Sequence, residues 1–325
     1  MTPPETGPRV VALGGGHGLA ASLQALRRVT PHVTAVVTVA DDGGSSGRLR
    51  EELGALPPGD LRMALSALAG DDDWGRTWER LLQHRFAGEG PLAGHAVGNL
   101  LLAGLTQTTG DPVAALELVG RLVGAVGRML PMSCTPLEIV AEVVGLDDDP
   151  SSVREVVGQV AVATTTGAVA AVHLRPEEPP ACAEAVEAVR AADWVVLGPG
   201  SWFTSVLPHL LVPGLRDALV ETAGRRLVAL NLAAQTGETS GFSPEAHLEV
   251  LAAHAPELVL DVVLADADAV LDRRGLMAAV ESAGGRLELA PVAVGDGTPR
   301  HDPTRLASAY ARVMGVAAPP AAGQR

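Results

Sequence analysis

The sequence predicts an α/β protein with a Rossmann-like, doubly wound and mainly parallel sheet that carries a β-rich inserted segment. Short β-branched runs alternate with helical patterns in both halves of the chain. Several of these runs end in a glycine-rich or polar loop that leads directly into a helix. The interior must be filled by small aliphatic side chains, because 47% of the 325 residues are hydrophobic but only 2% are aromatic. This composition suits helices packed on both faces of a parallel sheet.

A βαβ unit opens the chain. An apolar run at 9–13 ends in the glycine turn 14–18, a helical pattern follows, and a β-branched run at 33–40 predicts the second strand. The run at 41–48 predicts a second loop, rich in glycine and hydroxyl groups. Two helical stretches are predicted next, at 60–86 and 95–124.

The segment from about 128 to 175 has a different pattern, with short runs at 137–145 and 159–174 that predict strands and tight turns. We interpret it as a β-rich insertion. From 181 onward the alternation of strand and helix returns, with helices predicted at 181–191, 244–254 and 303–314 and strands at 193–197, 226–231, 258–264 and near 286–294. We expect a single nucleotide-binding domain over 9–315, and disorder at 1–8 and 316–325.

Charge and composition exclude several classes of function. The net charge is −14, which argues against a binder of nucleic acid or of an anionic membrane surface. All 24 cationic side chains are arginine, so no Schiff-base, Walker A or kinase-type lysine is available. No apolar run is long enough to insert into a membrane. Cys134 and Cys182 show no pairing motif, which fits a reduced, cytoplasmic setting.

The first candidate ligand-binding element is the glycine turn after the first strand. Glycines at such a turn let the backbone approach a phosphate, and the following helix N-terminus supplies partial positive charge. The spacing of Gly16, Gly18 and Ala21 also matches a dinucleotide-binding fingerprint, with an acid at the end of the next strand. The alternative is a tight strand–helix turn without a ligand. The candidate residues are Gly14, Gly15, Gly16, His17 and Gly18.

The second candidate is the loop after the second strand. Its carboxylates, free N–H groups and hydroxyls would form an anion-binding nest in which Mg²⁺ faces a pyrophosphate. Successive residues of a strand point to opposite faces, so both carboxylates cannot point inward unless the chain bends there. A flexible surface turn is the alternative. The candidate residues are Asp41, Asp42, Gly43, Gly44, Ser45 and Ser46, and the predicted Mg²⁺ ligands are Asp42 and Asp60.

Two helix starts add polar side chains. Asp60 follows a Pro-Pro-Gly bend, and the simplest prediction for it is a helix N-cap. Arg62 lies on the first helical turn and could bind a phosphate bidentately. His95 and Asn99 are four residues apart and share one helix face. Polar groups on an otherwise apolar helix either point at a ligand or satisfy buried backbone, and both alternatives stay open here.

The strand ends in the second half supply the remaining candidates. A serine hydrolase is excluded, because Phe203 stands where the nucleophile motif needs its second glycine. A helix N-terminus that binds an anion is the better interpretation of this loop. The candidate residues are Gly198, Gly200 and Ser201 in this loop and Asn231, Glu238 and Thr239 at the next strand end.

Seven motifs in order resemble the YvcK-type gluconeogenesis factors of the CofD-like superfamily. The likeness runs from about Val10 to about Leu264 and is nearest to actinobacterial members, in which His17 stands where many others carry Thr. The motifs are GGGHGL, VTVADDGGSSGRLR, PPGDLR, LQHRF, GHAVGNLLLAGL, LGPGSWFTSVLPHLLVPG and QTGETSGF.

The resemblance implies a CofD-like Rossmann-type core that binds UDP-sugars such as UDP-N-acetylglucosamine or UDP-glucose. It also implies a role in growth on gluconeogenic carbon sources, cell shape and wall synthesis, with wall-synthesis proteins as partners. We also expect a homo-oligomer. No reaction is generally assigned to this branch. Many members have Tyr in the UDP-sugar site where this chain has Phe242, which keeps a stacking surface but loses the hydroxyl contact.

Three functional hypotheses follow. The first is a regulator that senses a UDP-sugar without turning it over. The second is a Mg²⁺-dependent phosphotransferase of the 2-phospho-L-lactate transferase type, which the resemblance to the wider superfamily implies. The third, NAD(P)-dependent redox chemistry, depends on the glycine fingerprint alone. We expect the first, with Mg²⁺ as the one candidate cofactor.

Overall fold

The computed structural model describes residues 6–147, 149, 152–235 and 237–317. These residues contain a seven-stranded sheet in which every pairing is parallel, with the strand order β10-β9-β8-β7-β1-β2-β3. Its strands are β1 (Val10–Gly14), β2 (Val33–Val37), β3 (Arg128–Pro131), β7 (Trp194–Leu197), β8 (Arg225–Ala229), β9 (Val262–Asp266) and β10 (Arg286–Ala290). The remaining strands, β4 (Glu138–Val144), β5 (Val153–Val157) and β6 (Ala168–Arg175), form an antiparallel sheet in the order β5-β4-β6.

The central strands are apolar without alternation. Every residue of β1 and β7 is buried, as expected for parallel strands that are covered by helices on both faces. The helices are α1 (Gly16–Leu26), α2 (Gly44–Leu53), α3 (Gly59–Leu68), α4 (Asp73–Gln83), α5 (Val97–Thr109), α6 (Pro112–Leu122), α7 (Gln159–Ala163), α8 (Ala183–Ala191), α9 (Pro213–Glu221), α10 (Pro244–His254), α11 (Arg273–Ser282) and α12 (Pro303–Met314). The predicted fold class is confirmed, including the β-rich inserted segment between β3 and α8.

Two predicted local structures are wrong. The run at 41–48 is not a continuous loop, because α2 starts at Gly44 and its later residues are good helix formers. The stretch 159–174 is not all strand, because residues 159–163 form α7. Gly158, with φ of 100°, interrupts the strand before this helix, and the Asp42 carboxylate accepts a hydrogen bond from the Val160 amide at 2.9 Å.

Other boundaries differ for local reasons. The helical stretch 60–86 is two helices, since Asp72 caps α4 by accepting a hydrogen bond from the Gly75 amide. The stretch 95–124 is also two helices, because α5 ends on left-handed Gly110 and Asp111 caps α6. Helices α9 and α11 were not predicted. Strand β9 lies at 262–266, a few residues beyond the predicted 258–264.

No helix among the described residues is long and apolar enough to cross a membrane. Residues 1–5 and 318–325, most of the predicted disordered termini, lie outside the described part of the chain. The single-domain division over 9–315 stays a prediction.

Candidate functional site

The loops that follow β1, β2 and β7 meet at the carboxyl edge of the sheet. A Cβ added at Gly18 would stand 2.3 Å from the Pro199 carbonyl oxygen, so the turn after β1 packs directly on the loop after β7. A Cβ at Gly15 would stand 2.4 Å from a carboxylate oxygen of Asp60 and 2.4 Å from the Thr38 hydroxyl. Glycine is therefore required at both positions by close approach, and the three loops form one crevice.

Three helices begin at this crevice without a capping side chain, namely α1, α2 and α3. Gly16 in α1 and Gly44 in α2 have φ of 59° and 46°, and a Cβ at either would meet nothing within 4 Å. His17 is exposed beside Gly16, and Ser45 and Ser46 lie in the first turn of α2. The first N–H groups of a helix have no partner within the helix. The Gly16 amide binds Asp60, and the next amides of α1, with those at the start of α2, are available to a ligand.

Asp60 is a buried acid at the centre of the three loops, with 7% of its surface exposed. Its carboxylate accepts a hydrogen bond from the Thr38 hydroxyl at 2.9 Å and another from the Gly16 amide. Burial, and secondly the charge of Asp41, raise the pKa of Asp60 to about 6, while these hydrogen bonds and the charge of Arg62 act to lower it. A buried carboxyl with a raised pKa in a crevice is typical of a functional site.

This pKa predicts a pH dependence of stability. We expect Asp60 to lower the free energy of unfolding of the metal-free protein by about 3 kcal/mol as the pH rises through the range from about 4 to about 6. The folded state keeps the Asp60 proton to a higher pH than the unfolded chain does, so the stabilisation is present at low pH and is lost as the pH passes the folded pKa.

Urea unfolding with a chelator present, at about pH 4.5 and about pH 7, measures this effect for wild-type protein and for Asp60→Asn. The variant lacks the titrating group and is expected to show the smaller decrease between the two pH values. Equal decreases in both proteins would contradict the assigned pKa.

The side chains of Asp41 and Asp42, in the loop that follows β2, point in different directions. Asp41 accepts a hydrogen bond from the Gly43 amide at 2.9 Å, and a Cβ on Gly59 would stand 2.3 Å from its other carboxylate oxygen. The Asp42 carboxylate instead binds the Val160 amide of α7. The structure therefore brings Asp41 close to Asp60, and Asp42 faces the inserted segment. The predicted Mg²⁺ pair of Asp42 with Asp60 stays a prediction, and the geometry makes Asp41 the nearer carboxylate.

Arg62, Asn99, Ser45 and His95 form a continuous buried chain of hydrogen bonds. The Arg62 Nε donates to Asn99 Oδ1 at 2.8 Å, the Asn99 amide donates to Ser45 Oγ at 3.0 Å, and Ser45 Oγ lies 2.9 Å from His95 Nδ1. Arg62 also donates to Gln83. Burial, the largest cause, lowers the pKa of both Arg62 and His95. This chain links α2, α3 and α5 and fixes Ser45 at the start of α2.

Gly98 makes room for this chain, since a Cβ there would lie 2.9 Å from the Arg62 side chain. Two of the three Arg62 nitrogens thus bind side chains of the protein. The charge of Arg62 still acts on Asp60. Its predicted direct contact with a ligand stays a prediction.

Glu238 fills the helix start after β7. Its carboxylate accepts hydrogen bonds from the Ser201 hydroxyl at 2.6 Å, the Thr204 hydroxyl at 2.6 Å and the Phe203 amide at 3.1 Å. These groups belong to the start of the π-helical turn Trp202–Val206, which a 3₁₀ turn, Leu207–Leu211, continues. The anion at this helix start is therefore a side chain of the protein, whereas the sequence indicated an external anion.

Asn231 holds the glycine loop after β7. It accepts a hydrogen bond from the Gly200 amide at 3.0 Å and donates to the Gly200 carbonyl at 2.7 Å. Gly198 and Gly200 have φ of 75° and 154°, which favour glycine. Thr239 accepts from the Gln235 amide at 2.8 Å and so closes the loop that carries Glu238. These residues shape the crevice wall.

Phe242 lies in an aromatic cluster. Its ring packs edge-to-face on Phe203, with centroids 5.9 Å apart, and on His247, with centroids 5.5 Å apart. Trp202 packs on His247 in the same way at 5.1 Å. Phe242 is partly buried against this cluster, which fixes the loop from Glu238 onward.

Sequence reasoning missed Thr38, Gln83 and Thr204. Thr38 is the residue after β2, and its hydroxyl donates a hydrogen bond to Asp60. A hydroxyl residue directly after a predicted strand could have indicated this role in the sequence. Gln83 and Thr204 lie on helices far in sequence from their partners, and no local pattern marks them.

A separate cavity of about 310 Å³ lies at the opposite, amino-terminal edge of β1 and β2. Its two arginines are already paired, Arg9 with Asp193 at 3.2 Å and Arg128 with Glu117 at 2.6 Å. The carboxyl edge, with its free helix N-termini, is therefore the better candidate site.

The fold and this crevice define a class, a Rossmann-like α/β protein with its candidate ligand site at the carboxyl edge of the sheet. Residues 10–283 match the family described as 2-phospho-L-lactate transferase CofD, and the chain belongs to this family.

Known proteins are similar to this chain over most of its length. A "Putative gluconeogenesis factor" of Mycobacterium tuberculosis is 56% identical over 320 residues, 96% of this chain and 93% of that protein. A "Gluconeogenesis factor" of Listeria monocytogenes is 39% identical over 260 residues, 80% of this chain and 78% of that protein. A crystal structure of a UPF0052 family member from Bacillus halodurans has a TM-score of 0.83 at 33% identity, covering 94% of this chain and 99% of that chain. The resemblance inferred from the sequence is confirmed.

Proposed function

We propose that this protein is a regulator that binds a UDP-sugar, UDP-N-acetylglucosamine or UDP-glucose, in the crevice at the carboxyl edge of the sheet. The observation that carries the proposal is the pair of uncapped helix starts, α1 and α2, which face open space at Gly16 and Gly44. Free N–H groups at helix N-termini bind phosphate oxygens without a cationic side chain. In a chain with no lysine and a net charge of −14, backbone N–H groups and arginine are the groups that can bind a pyrophosphate.

The neighbouring groups suit a nucleotide-sugar. Ser45 and Ser46 add hydroxyls at the start of α2, and Asp60 offers a buried acceptor beside the phosphate site. The partly buried ring of Phe242, which packs on the buried Phe203, lies beyond Glu238 and could stack on a base or a sugar. These groups combine apolar surface with a few convergent polar groups, as small-molecule sites do.

The proposed physiological role is control of cell shape and wall synthesis during growth on gluconeogenic carbon sources. The names of the relatives, which are gluconeogenesis factors, support the metabolic part. We propose wall-synthesis proteins as partners, because a sensor must transmit ligand binding to another protein. We also propose a cytoplasmic location and a homo-oligomeric state.

The second candidate function is a Mg²⁺-dependent phosphotransferase, which the description of the matching family supports. Asp41 and Asp60 supply hard oxygen ligands side by side, which fits Mg²⁺. Among the described residues, however, no group of three or more His, Cys, Asp or Glu side chains could hold a metal ion. A bound Mg²⁺ would take its other ligands from water and from ligand phosphates, and it would neutralise developing phosphoryl charge.

Thermal unfolding and a turnover assay separate the two functions. At about 100 times Kd, a UDP-sugar that binds only the folded state adds about 2.7 kcal/mol to the free energy of unfolding. We expect this shift with UDP-N-acetylglucosamine or UDP-glucose, partly retained in EDTA, and no release of UMP or UDP. NAD is the matched control ligand, since it carries a pyrophosphate but no UDP-sugar.

Two outcomes would contradict the regulator. One is a clear shift with NAD and none at millimolar UDP-sugar. The other is Mg²⁺-dependent release of UMP, UDP or a transferred phospho-group that is lost in Asp41→Asn or Asp42→Asn. The first outcome would favour the dinucleotide hypothesis, and the second would favour the phosphotransferase.

A further inference from the structure

The two cysteines meet at the neck of the inserted sheet. Residues 132–137 lead from β3 into β4, and residues 176–182 lead from β6 back to α8. The Cys182 amide donates a hydrogen bond to the Met132 carbonyl at 3.1 Å, so these two connections run side by side. Cys134 lies in the first connection and Cys182 in the second, and the two thiols are near enough for each to shift the pKa of the other. The sequence shows no motif for this pairing.

The two thiols have different environments. Cys134 is exposed, whereas Cys182 is buried and donates its thiol proton to the Glu184 carboxylate at 3.2 Å. The interaction with the Cys182 thiol lowers the pKa of Cys134, although burial and the carboxylates of Glu184 and Asp111 act to raise it. The interaction with Cys134, followed by burial, raises the pKa of Cys182. Cys134 is therefore the accessible nucleophile and Cys182 is the resolving thiol.

We propose that Cys134 and Cys182 are a reversible modification site, which a hydroperoxide oxidises to a disulfide and a small thiol reduces again. The Cys134 thiolate attacks one peroxide oxygen, the O–O bond breaks, and the departing hydroxide takes a proton to leave as water. The Cys182 sulfur then attacks the Cys134 sulfenic sulfur. The S–O bond breaks, the S–S bond forms, and the hydroxide leaves as a second water with the Cys182 proton. The two thiols supply both electrons that reduce one peroxide.

The disulfide would tie together both connections of the inserted sheet. This sheet carries α7, whose Val160 amide binds the Asp42 carboxylate. On its other side, a Cβ at Gly237 would stand 2.3 Å from the Ala163 carbonyl oxygen of α7. The insert thus contacts two loops of the crevice, and oxidation would restrict its movement over them. This inference depends only on the two thiols and holds for any ligand of the crevice.

Intact-mass and peptide-mapping mass spectrometry test the site on the full-length protein, treated with a small excess of hydrogen peroxide. We expect a loss of two hydrogens per chain, a link between the peptides of Cys134 and Cys182, and full reversal by a small thiol. Cys182→Ser should stop at a Cys134 sulfenic acid that dimedone traps. Cys134→Ser should leave Cys182 reduced. Because position 134 is exposed, this variant should fold, and it tests whether Cys134 reacts first even if Cys182→Ser does not fold.

Hydrogen exchange tests the consequence. The amides of Cys182 and Val160 are expected to exchange more slowly in the oxidised protein than in the reduced protein. Thiols that stay reduced, disulfides between two chains, or equally fast oxidation of Cys182 in Cys134→Ser would overturn the site. Unchanged exchange at both amides in fully oxidised protein would overturn its effect on the insert.

Discussion

Replacement of Gly18 by valine is expected to abolish UDP-sugar binding. A Cβ at this position would lie 2.3 Å from the Pro199 carbonyl oxygen and 2.7 Å from the Gly200 Cα, and both are backbone atoms that cannot rotate away. The turn after β1 must therefore separate from the loop after β7, and the free N–H groups of α1 move with it. A displacement of about 1 Å in such a site can cost about 100-fold in function, so we expect at least that loss of affinity.

The matched control is Gly104→Ala. Gly104 is exposed in α5, and a Cβ there would meet nothing within 4 Å. Alanine in a helix interior is better than glycine by about 0.5–1 kcal/mol, so this variant should be slightly more stable and bind normally. Gly18→Val should lose about 1–3 kcal/mol of stability through overpacking but remain folded. Isothermal titration calorimetry measures the affinities, and wild-type affinity in a folded Gly18→Val protein would show that this turn is not part of the site.

Replacement of Glu238 by alanine is expected to lower the free energy of unfolding by about 3 kcal/mol. The substitution leaves the hydroxyls of Ser201 and Thr204 and the Phe203 amide without their shared acceptor, in a position where only 2% of the Glu238 surface is exposed. Buried donors without partners are costly because they lose water and gain nothing. The free energy of unfolding of Glu238→Gln should lie between the values for wild-type protein and Glu238→Ala, because the glutamine amide keeps one acceptor oxygen.

Denaturant unfolding measures the Glu238 effect. Glu249→Ala, which removes an exposed glutamate of α10, is the control and should change stability by less than about 0.5 kcal/mol. A similar small change in Glu238→Ala would mean that water replaces the carboxylate, so that Glu238 does not hold the start of the helical turn.

The sequence predicted the sheet well for a physical reason. Parallel strands that are covered on both faces are short continuous apolar runs, and β1, β2 and β7 have this pattern between clear glycine or polar boundaries. The start of α2 was missed because its glycines and serines are typical of loops. Its helix is held by contacts from elsewhere, such as the hydrogen bonds of Ser45 with Asn99 and His95.

The candidate site was predictable only in part. Loops after neighbouring parallel strands must meet at one edge, so their convergence follows from topology. The hydrogen-bond partners of individual side chains do not follow from topology, because they lie on segments that are distant in the sequence. Glu238 and Ser201 are 37 residues apart, and nothing local to either shows that one fills the helix start formed by the other. The divergence of the Asp41 and Asp42 side chains did not follow from strand alternation, because β2 ends at Val37 and both residues lie in the loop beyond it.

The most direct test of the central claim is a backbone-amide NMR titration of the metal-free protein with UDP-N-acetylglucosamine. The claim is that the free N–H groups of α1 and α2 bind the pyrophosphate. The account predicts that the largest chemical-shift changes occur at the amides of His17, Gly18, Gly44 and Ser45, and that Gly18→Val loses them. Changes concentrated instead at the amino-terminal edge, around Arg9, His32 and Arg128, with none at the starts of α1 and α2, would contradict it.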